Sequence, residues 1–333
     1  MDKVACQLTQ AERTELFEAT ASKMKVTPIV VEKDFWVCWV LKRIFASKNL
    51  RGHIVFKGGT SLSKAYHLIE RFSEDIDLIL DWTLLGYDAN KPNEEKSKNQ
   101  QDKFNKRVVV ESSGYIRDHL TSEIQSLLKG SHCHAEMAQD DPDQCTINVS
   151  YPVSFPDAYI RPLVRLEIGP LAKWIPSDWR IIQPYAYEYY PDVFENGKVE
   201  VFTIDAKRTF WEKATILHQE AYDERIKARY SRHYYDLYKL GKSSHGESAL
   251  QDLGLLRDVV AFKKKFYPTG KANYDKAEPG SFQLIPPEAK LKALEKDYET
   301  MKSMIFGDIP DFNEIVSYLA SLEKLINSEN DCR

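Results

Sequence analysis

The chain has little of what would tie it to a membrane, an oxidising compartment or a polyanion. None of its apolar runs approaches the ~20 residues that span a bilayer, and the opening MDKVACQLTQAERTE has neither the basic start nor the apolar run of a signal peptide. Cysteine is scarce. The five (Cys6, Cys38, Cys133, Cys145, Cys332) are scattered, odd in number and never form C-x-x-C, which argues against a disulfide framework and against a thiolate zinc site. A soluble protein of the reducing cytoplasm is expected, with no membrane partner. Neither sign of charge dominates: 46 Lys and Arg face 50 Asp and Glu, a net charge of −4, so any polyanion site has to be a local basic patch. No internal repeat is found. What is plentiful is core material, 43% hydrophobic and 12% aromatic residues, and at 333 residues two lobes are expected.

Thr9 with Glu12 predicts a capping box and a first helix to about Met24, and Thr27-Pro28 opens an apolar, aromatic helix to about Phe45. Residues 88–103, almost without aliphatics, read as an exposed loop, with a substrate-gating arm as the alternative. Helical spacing then covers about 104–128. Strand signals follow at 146–149, 163–168, 180–182 and 199–203, and after Ala206 the chain turns helical through RTFWEKATILHQEAY, SRHYYDLYKLG, residues 246–266 and two later stretches, with a Tyr/Pro/Gly-rich loop at about 267–287. The shift near residue 205 sets the expected boundary: an α/β lobe at 1–205 and a helical lobe at 206–333.

The chemistry concentrates in residues 54–80, IVFKGGTSLSKAYHLIERFSEDIDLIL. It reads as a short strand (Ile54, Val55, Phe56), a Gly58-Gly59 turn, a helix opening at Thr60 or Ser61, and a strand from about Asp75 to Leu80. Period-two alternation puts Ser73, Asp75 and Asp77 on one face and Ile76, Leu78 and Leu80 on the other. A glycine turn feeding a helix start suits a phosphate. A P-loop is excluded, because G-x-x-x-x-G-K-[ST] aligned from Gly58 meets Ser63 in place of its second glycine and Ala65 in place of its hydroxyl. Asp75 and Asp77, two residues apart on one strand face, can ligate a hard cation such as Mg²⁺, with Mn²⁺ as an alternative, in the arrangement that moves nucleotidyl groups. A third ligand on a neighbouring strand is expected of a two-metal site. Glu167, in Leu166-Glu167-Ile168, is the candidate, weighed evenly against an ordinary ion pair with Arg165.

These residues closely resemble the AbiEii/AbiGii-type nucleotidyltransferase toxins of type IV toxin–antitoxin and phage-defence systems, a branch of the polymerase-β-like nucleotidyltransferase superfamily. The likeness is carried by KGGTSLSKAYHLIERFSEDIDLIL together with VEKDFWVCWVL upstream and RLEIG, RTFWEKATILH and RYSRHYYDLYKL downstream. It implies an α+β protein, with an N-terminal nucleotidyltransferase lobe on a mixed β-sheet and a helical C-terminal lobe. It also implies that Gly59 and Ser73 hold phosphate, with Gly58 and Thr60 in the same turn, that Asp75 and Asp77 bind Mg²⁺, that Lys213 contacts the triphosphate and that Asp236 is a later active-site acid, placing the cleft between the lobes. The residues alone favour other readings for the last two, a Lys213 pair with Glu212 or Glu220 and an Asp236 bridge to Arg232.

The activity expected is transfer of a nucleotide from an NTP to a cellular acceptor, tRNA 3′ ends being the first acceptor to consider, with a cognate antitoxin as a further partner. Nucleotidylation of a protein and an NTP-binding, GTP-binding for example, toxin or regulator without transfer are the alternatives, and a D-x-D glycosyltransferase is a distant one. Lys207, Arg208, Lys213, Arg225, Lys227, Arg229 and Arg232 could form a basic patch for RNA, diluted by Glu212, Glu220, Asp223 and Glu224. His218 and His233 lack a third ligand at metal spacing and read as solvated or core residues. The aromatics of YAYEYY and TFWEK are expected in the core, with stacking on a base as the alternative.

Overall fold

A computed structural model describes every residue except 74, 89–90, 157–160, 171–172, 224, 226 and 329–333. The chain divides into two compact units. The first comprises Met1–Ala65 and Phe72–Ile204; the second comprises Tyr66–Arg71 and Asp205–Arg333. Six residues between the glycine turn and the two aspartates therefore group with the helical unit.

The first unit is built on a mixed seven-stranded sheet: β1 (Ile54–Lys57), β2 (Asp75–Leu80), β3 (His134–Met137), β4 (Thr146–Ser150), β5 (Leu163–Gly169), β6 (Ser177–Ile182) and β7 (Val199–Ile204), in the order β3-β4-β5-β2-β1-β7-β6. β1 runs parallel to β7 and β2 parallel to β5, while the other neighbours are antiparallel. With the helices of both units this is an α+β fold. β3 has no counterpart among the sequence expectations; HAEM alternates polar with apolar residues but is too short to signal a strand.

A short α1 (Asp2–Cys6) precedes α2 (Gln10–Met24), which opens on the foreseen capping box: Glu12 N–H donates to Thr9 Oγ1 at 3.3 Å and Thr9 N–H to Glu12 Oε2 at 2.7 Å. α3 (Pro28–Ala46) buries fourteen of its nineteen residues, as a helix apolar on nearly every side must. Trp36 and Trp39 lie edge to face within it at 5.6 Å, in a core that takes in Phe56, Ile76, Leu78, Leu80, Ile147 and Leu166 from one face of the sheet. The buried acids of α3 have partners. Glu32 accepts from the Ser154 and Phe155 N–H groups at 2.6 and 3.3 Å, and Asp34 pairs with Lys64 at 2.6 Å. After β1 comes the seven-residue α4 (Gly58–Lys64), which begins two or three residues earlier than the sequence suggests.

The polar segment 88–103 is a loop only in part. α5 (Lys98–Tyr115) starts inside it, because Ser97 and Gln100 form a second capping box, and it continues through a π-helical turn at Ile116–Leu120 into α6 (Thr121–Leu127). Residues 89–90 lie outside the described residues. α7 (Tyr185–Tyr189) precedes β7.

The second unit is helical: α8 (Ala206–Tyr222), α9 (Ser231–Gly241), α10 (Ser244–Leu250), α11 (Leu253–Phe266), α12 (Glu288–Met301) and α13 (Phe312–Ser328). The stretch 246–266 is two helices rather than one, because the Asp252 side chain caps a new start by accepting from Leu255 N–H at 2.9 Å. Phe210, Trp211, Tyr234 and Tyr235 are fully buried, so the aromatics of TFWEK belong to the core. Among the described residues no helix is long and apolar enough to cross a membrane, and the cysteines Cys6, Cys38, Cys133 and Cys145 are free thiols; Cys332 lies outside the described residues.

Candidate active site

The glycine turn and the two aspartates meet through backbone geometry. Gly58 has φ +81°, a conformation that favours glycine, and a Cβ built on it would stand 1.8 Å from Asp77 Oδ2. The bare Cα therefore makes room for the Asp77 carboxylate. α4 is tied to β2 at its start, where Thr60 Oγ1 donates to the Asp75 carbonyl at 2.5 Å, and to the turn itself, where Ser61 Oγ donates to the Gly58 carbonyl at 2.9 Å. Thr60 was expected among the phosphate contacts. It is buried, and its hydroxyl proton is committed to the strand. Ser73 stands two residues before β2, half-buried.

Strand register sets what faces the aspartates. Asp77 lies opposite Lys57 on antiparallel β1 and opposite Glu167 on parallel β5, and Asp75 lies opposite Arg165. Lys57, Asp77 and Glu167 thus form one rung across three strands. Lys57 is a site residue that the sequence reading passed over, because its pairing depends on register. The ion pair of Glu167 with Arg165 is present. Glu167 neighbours Asp77, and Arg165 Nε lies 3.4 Å from its Oε1, while Arg165 gives Asp140 the tighter contact at 2.8 Å. Burial, then repulsion by Asp77 and Asp75, pushes the Glu167 carboxyl above its ordinary pKa, against the pull of Arg165. Among the described residues no group of three or more His, Cys, Asp or Glu side chains is gathered as a ready metal cage. What the strands bring together is a set of carboxylate oxygens on adjacent strands, the donor type that a hard divalent cation takes.

In the second unit Lys213, on α8, and Asp236, on α9, are each other's partners. Lys213 Nζ lies 2.7 Å from Asp236 Oδ2, and Arg71 grips the same carboxylate with two hydrogen bonds, Nε to Oδ1 at 2.7 Å and Nη2 to Oδ2 at 2.8 Å. The sequence pairings of Lys213 with Glu212 or Glu220, and of Asp236 with Arg232, are therefore corrected. Glu212 serves Arg208, and Glu220 serves Lys227 and Lys290. Burial lowers the Lys213 pKa, with Asp236 opposing it. For Asp236 burial works upward, yet Arg71 and Lys213 together hold the carboxyl far below the usual carboxylate range. Arg71 was also missed, since 165 residues separate it from its partner.

The run of basic residues is not the free patch it resembles in sequence. Arg208 is buried against Glu212 and Asp258, Lys213 against Asp236, Arg225 pairs with Asp223, and Lys227 with Glu220 and Asp223. Glu224 lies outside the described residues. His218 is a core histidine: Nε2 faces the Asn273 carbonyl at 3.2 Å and Nδ1 accepts from Gln283 N–H at 3.0 Å, which fixes a neutral ring. His233 Nδ1 is 3.5 Å from Lys213 Nζ, and burial pushes its pKa well down.

Two outcomes follow. Gly58→Ala strains the backbone by about 1–3 kcal/mol and drives the Asp77 carboxylate from its place; its activity should fall as far as that of Asp77→Ala while circular dichroism stays native-like. Asp236→Asn leaves two buried cations without their carboxylate and should cost about 3–5 kcal/mol, read by urea unfolding. Because the Asp236 pKa is depressed in the folded protein, the wild-type margin is full above the ordinary value of 3.8 and shrinks as pH falls towards the folded value.

A search among curated proteins finds no match. Among solved structures the chain is similar to MenT4, a nucleotidyltransferase toxin from Mycobacterium tuberculosis, at 16% identity and a TM-score of 0.42, over 96% of this chain and 99% of that one. Residues 39–320 match the family model described as nucleotidyl transferase AbiEii toxin, type IV TA system. That match takes in the turn, both aspartates, Glu167, Lys213 and Asp236, and the chain belongs to the AbiEii family of nucleotidyltransferase toxins of type IV toxin–antitoxin systems.

Proposed function

We propose that the toxin transfers a nucleotidyl group from an NTP to a hydroxyl of a cellular acceptor, the tRNA 3′ end, in a Mg²⁺-dependent reaction for which Mn²⁺ can substitute. The observation that carries this reading is the carboxylate set on β2 and β5. Asp77 and Glu167 are side by side in parallel register and Asp75 is two residues before Asp77 on the same strand face, with the Glu167 anion disfavoured by burial first and then by the other two. Such a set is unfavourable by itself and favourable around a divalent cation. Asp75 and Asp77 would hold the cation, with Glu167 as the third ligand. Bound there, it supplies positive charge at the phosphate oxygens.

The rest is done by the chain. The Gly58-Gly59 turn brings backbone N–H groups to the phosphates without a side chain in the way, and Ser73 adds a hydroxyl donor. The proposed role of Lys213 is a point charge on the triphosphate. Asp236, with both oxygens engaged, opposes the burial that disfavours the charged form of that lysine. The acceptor oxygen bonds to the α-phosphorus as the bond to the β-phosphate oxygen breaks. Pyrophosphate leaves, the acceptor hydroxyl gives up its proton, and no protein nucleophile is needed. The family also supports a cognate antitoxin as partner, and the free thiols suit the cytoplasm.

The test is incubation with total tRNA and each labelled NTP in turn, with and without a chelator. Wild-type protein should label RNA and release pyrophosphate, and Asp75→Ala and Asp77→Ala should each reduce transfer by at least about 100-fold. Label that survives both substitutions would sink the mechanism. Label sensitive to protease but not RNase would mean a protein acceptor, and calorimetric NTP binding with no pyrophosphate under any acceptor would mean a nucleotide-binding regulator.

A further inference from the structure

Lys64 occupies the position at which a P-loop, counted from Gly58, keeps its phosphate-binding lysine. Its surroundings forbid that use. The side chain is 5% exposed, and Nζ sits 2.6 Å from Oδ1 of Asp34, itself 4% exposed and embedded in α3. Asp34 Oδ2 accepts from the Tyr185 N–H at 2.7 Å, and the Lys64 ammonium lies 3.7 Å from the centroid of the Tyr185 ring at the start of α7. Ser63, where a P-loop has glycine, hydrogen-bonds the Tyr185 hydroxyl. Burial works against the ammonium, but Asp34 first, then Cys38 and Tyr185, oppose it, and the Lys64 pKa lies above the usual lysine value. The charge is kept, and it is turned into the core.

A seven-residue helix has too few hydrogen bonds to hold its own position. α4 is instead fastened at both ends, by Thr60 to the Asp75 carbonyl and by Lys64 to Asp34. Between these ties and β1 lies Gly58, whose Cα the Asp77 carboxylate closely approaches. A small shift of α4 would therefore open or close the space that Asp77 uses. Apolar contacts would hold α4 with little preference for one register, whereas a buried ion pair is directional.

We propose that Lys64 and Asp34 are positioning residues of the candidate site, an assignment that rests on the nucleotidyl-transfer reading: their buried pair fixes α4, and with it the Gly58-Gly59 turn, against Asp75 and Asp77, and Lys64 binds no phosphate.

The experiment uses the full chain and compares Lys64→Met, Asp34→Asn, the two combined, and Lys64→Met with Asp34→Leu, which leaves no charge unpaired should a single variant fail to fold. Amide exchange at residues 58–64 should rise about tenfold or more in every variant, while strands β4 and β5 stay protected. In the transfer assay kcat should fall about tenfold or more with the KM for NTP within about threefold, and Asp34→Asn should add little to Lys64→Met because the two act as a unit. A Lys64→Met protein with normal exchange at 58–64 and NTP affinity down about tenfold would overturn the proposal and make Lys64 a phosphate ligand. Unchanged exchange and unchanged kcat would overturn it too. If the wild type shows no transfer, the nucleotidyl-transfer reading fails, and the exchange measurement still decides whether the pair fixes the turn.

Discussion

The close approach of the Asp77 carboxylate to the bare Cα of Gly58 is the constraint from which the site follows. It requires glycine at that position, because a Cβ would lie 1.8 Å from Oδ2, and it requires β1 and β2 to pair antiparallel so that Lys57 and Asp77 share a rung. The same β2 runs parallel to β5, which brings Glu167 to the other side of Asp77. A one-residue slip at either pairing would turn a member of the rung to the opposite face, where Ile76, Leu78 and Leu166 are buried. The apolar alternation that builds the core therefore also fixes the carboxylates. Packing and chemistry share one register.

Each unit also keeps charge inside. In the first, Lys64 meets Asp34; in the second, Asp236 meets Arg71 and Lys213. Burying such groups costs more in lost hydration than it returns in simple Coulomb attraction unless the hydrogen-bond geometry is good, and replacing a buried pair by well-packed apolar residues is often neutral or stabilising. Stability alone thus does not account for them. What a pair of this kind provides is direction: a guanidinium fork on a carboxylate, or an ammonium on one oxygen, fixes two elements at one angle and one register.

How much of this could be read from the sequence depended on the range of the interaction. The alternation of Asp75 and Asp77 with Ile76, Leu78 and Leu80, the Thr9 capping box and the glycine turn are local and were legible. The capping box of Ser97 and Gln100 was equally local, but the polar composition of 88–103 hid it, since a solvated helix and a loop share that composition. Lys57 and the neighbours of Glu167 needed strand register, which no single strand contains. Arg71 with Asp236 and Lys64 with Asp34 needed tertiary contacts. The basic run of α8 and the segment after it misled for a related reason: sequence shows that cations cluster but not which of them already have an acid, and Arg208, Lys213, Arg225 and Lys227 all do.

Charge compensation consequently sorts the candidates better than residue type does. Lys64 and Lys213 are both buried lysines beside an aspartate, yet they differ in balance. Lys64 faces one carboxylate and forms a closed pair, with its pKa raised. Lys213 shares its carboxylate with Arg71, and burial lowers the lysine pKa against the pull of Asp236. Glu167 is the converse, an acid whose pKa is raised, by burial first and then by Asp77 and Asp75 against Arg165.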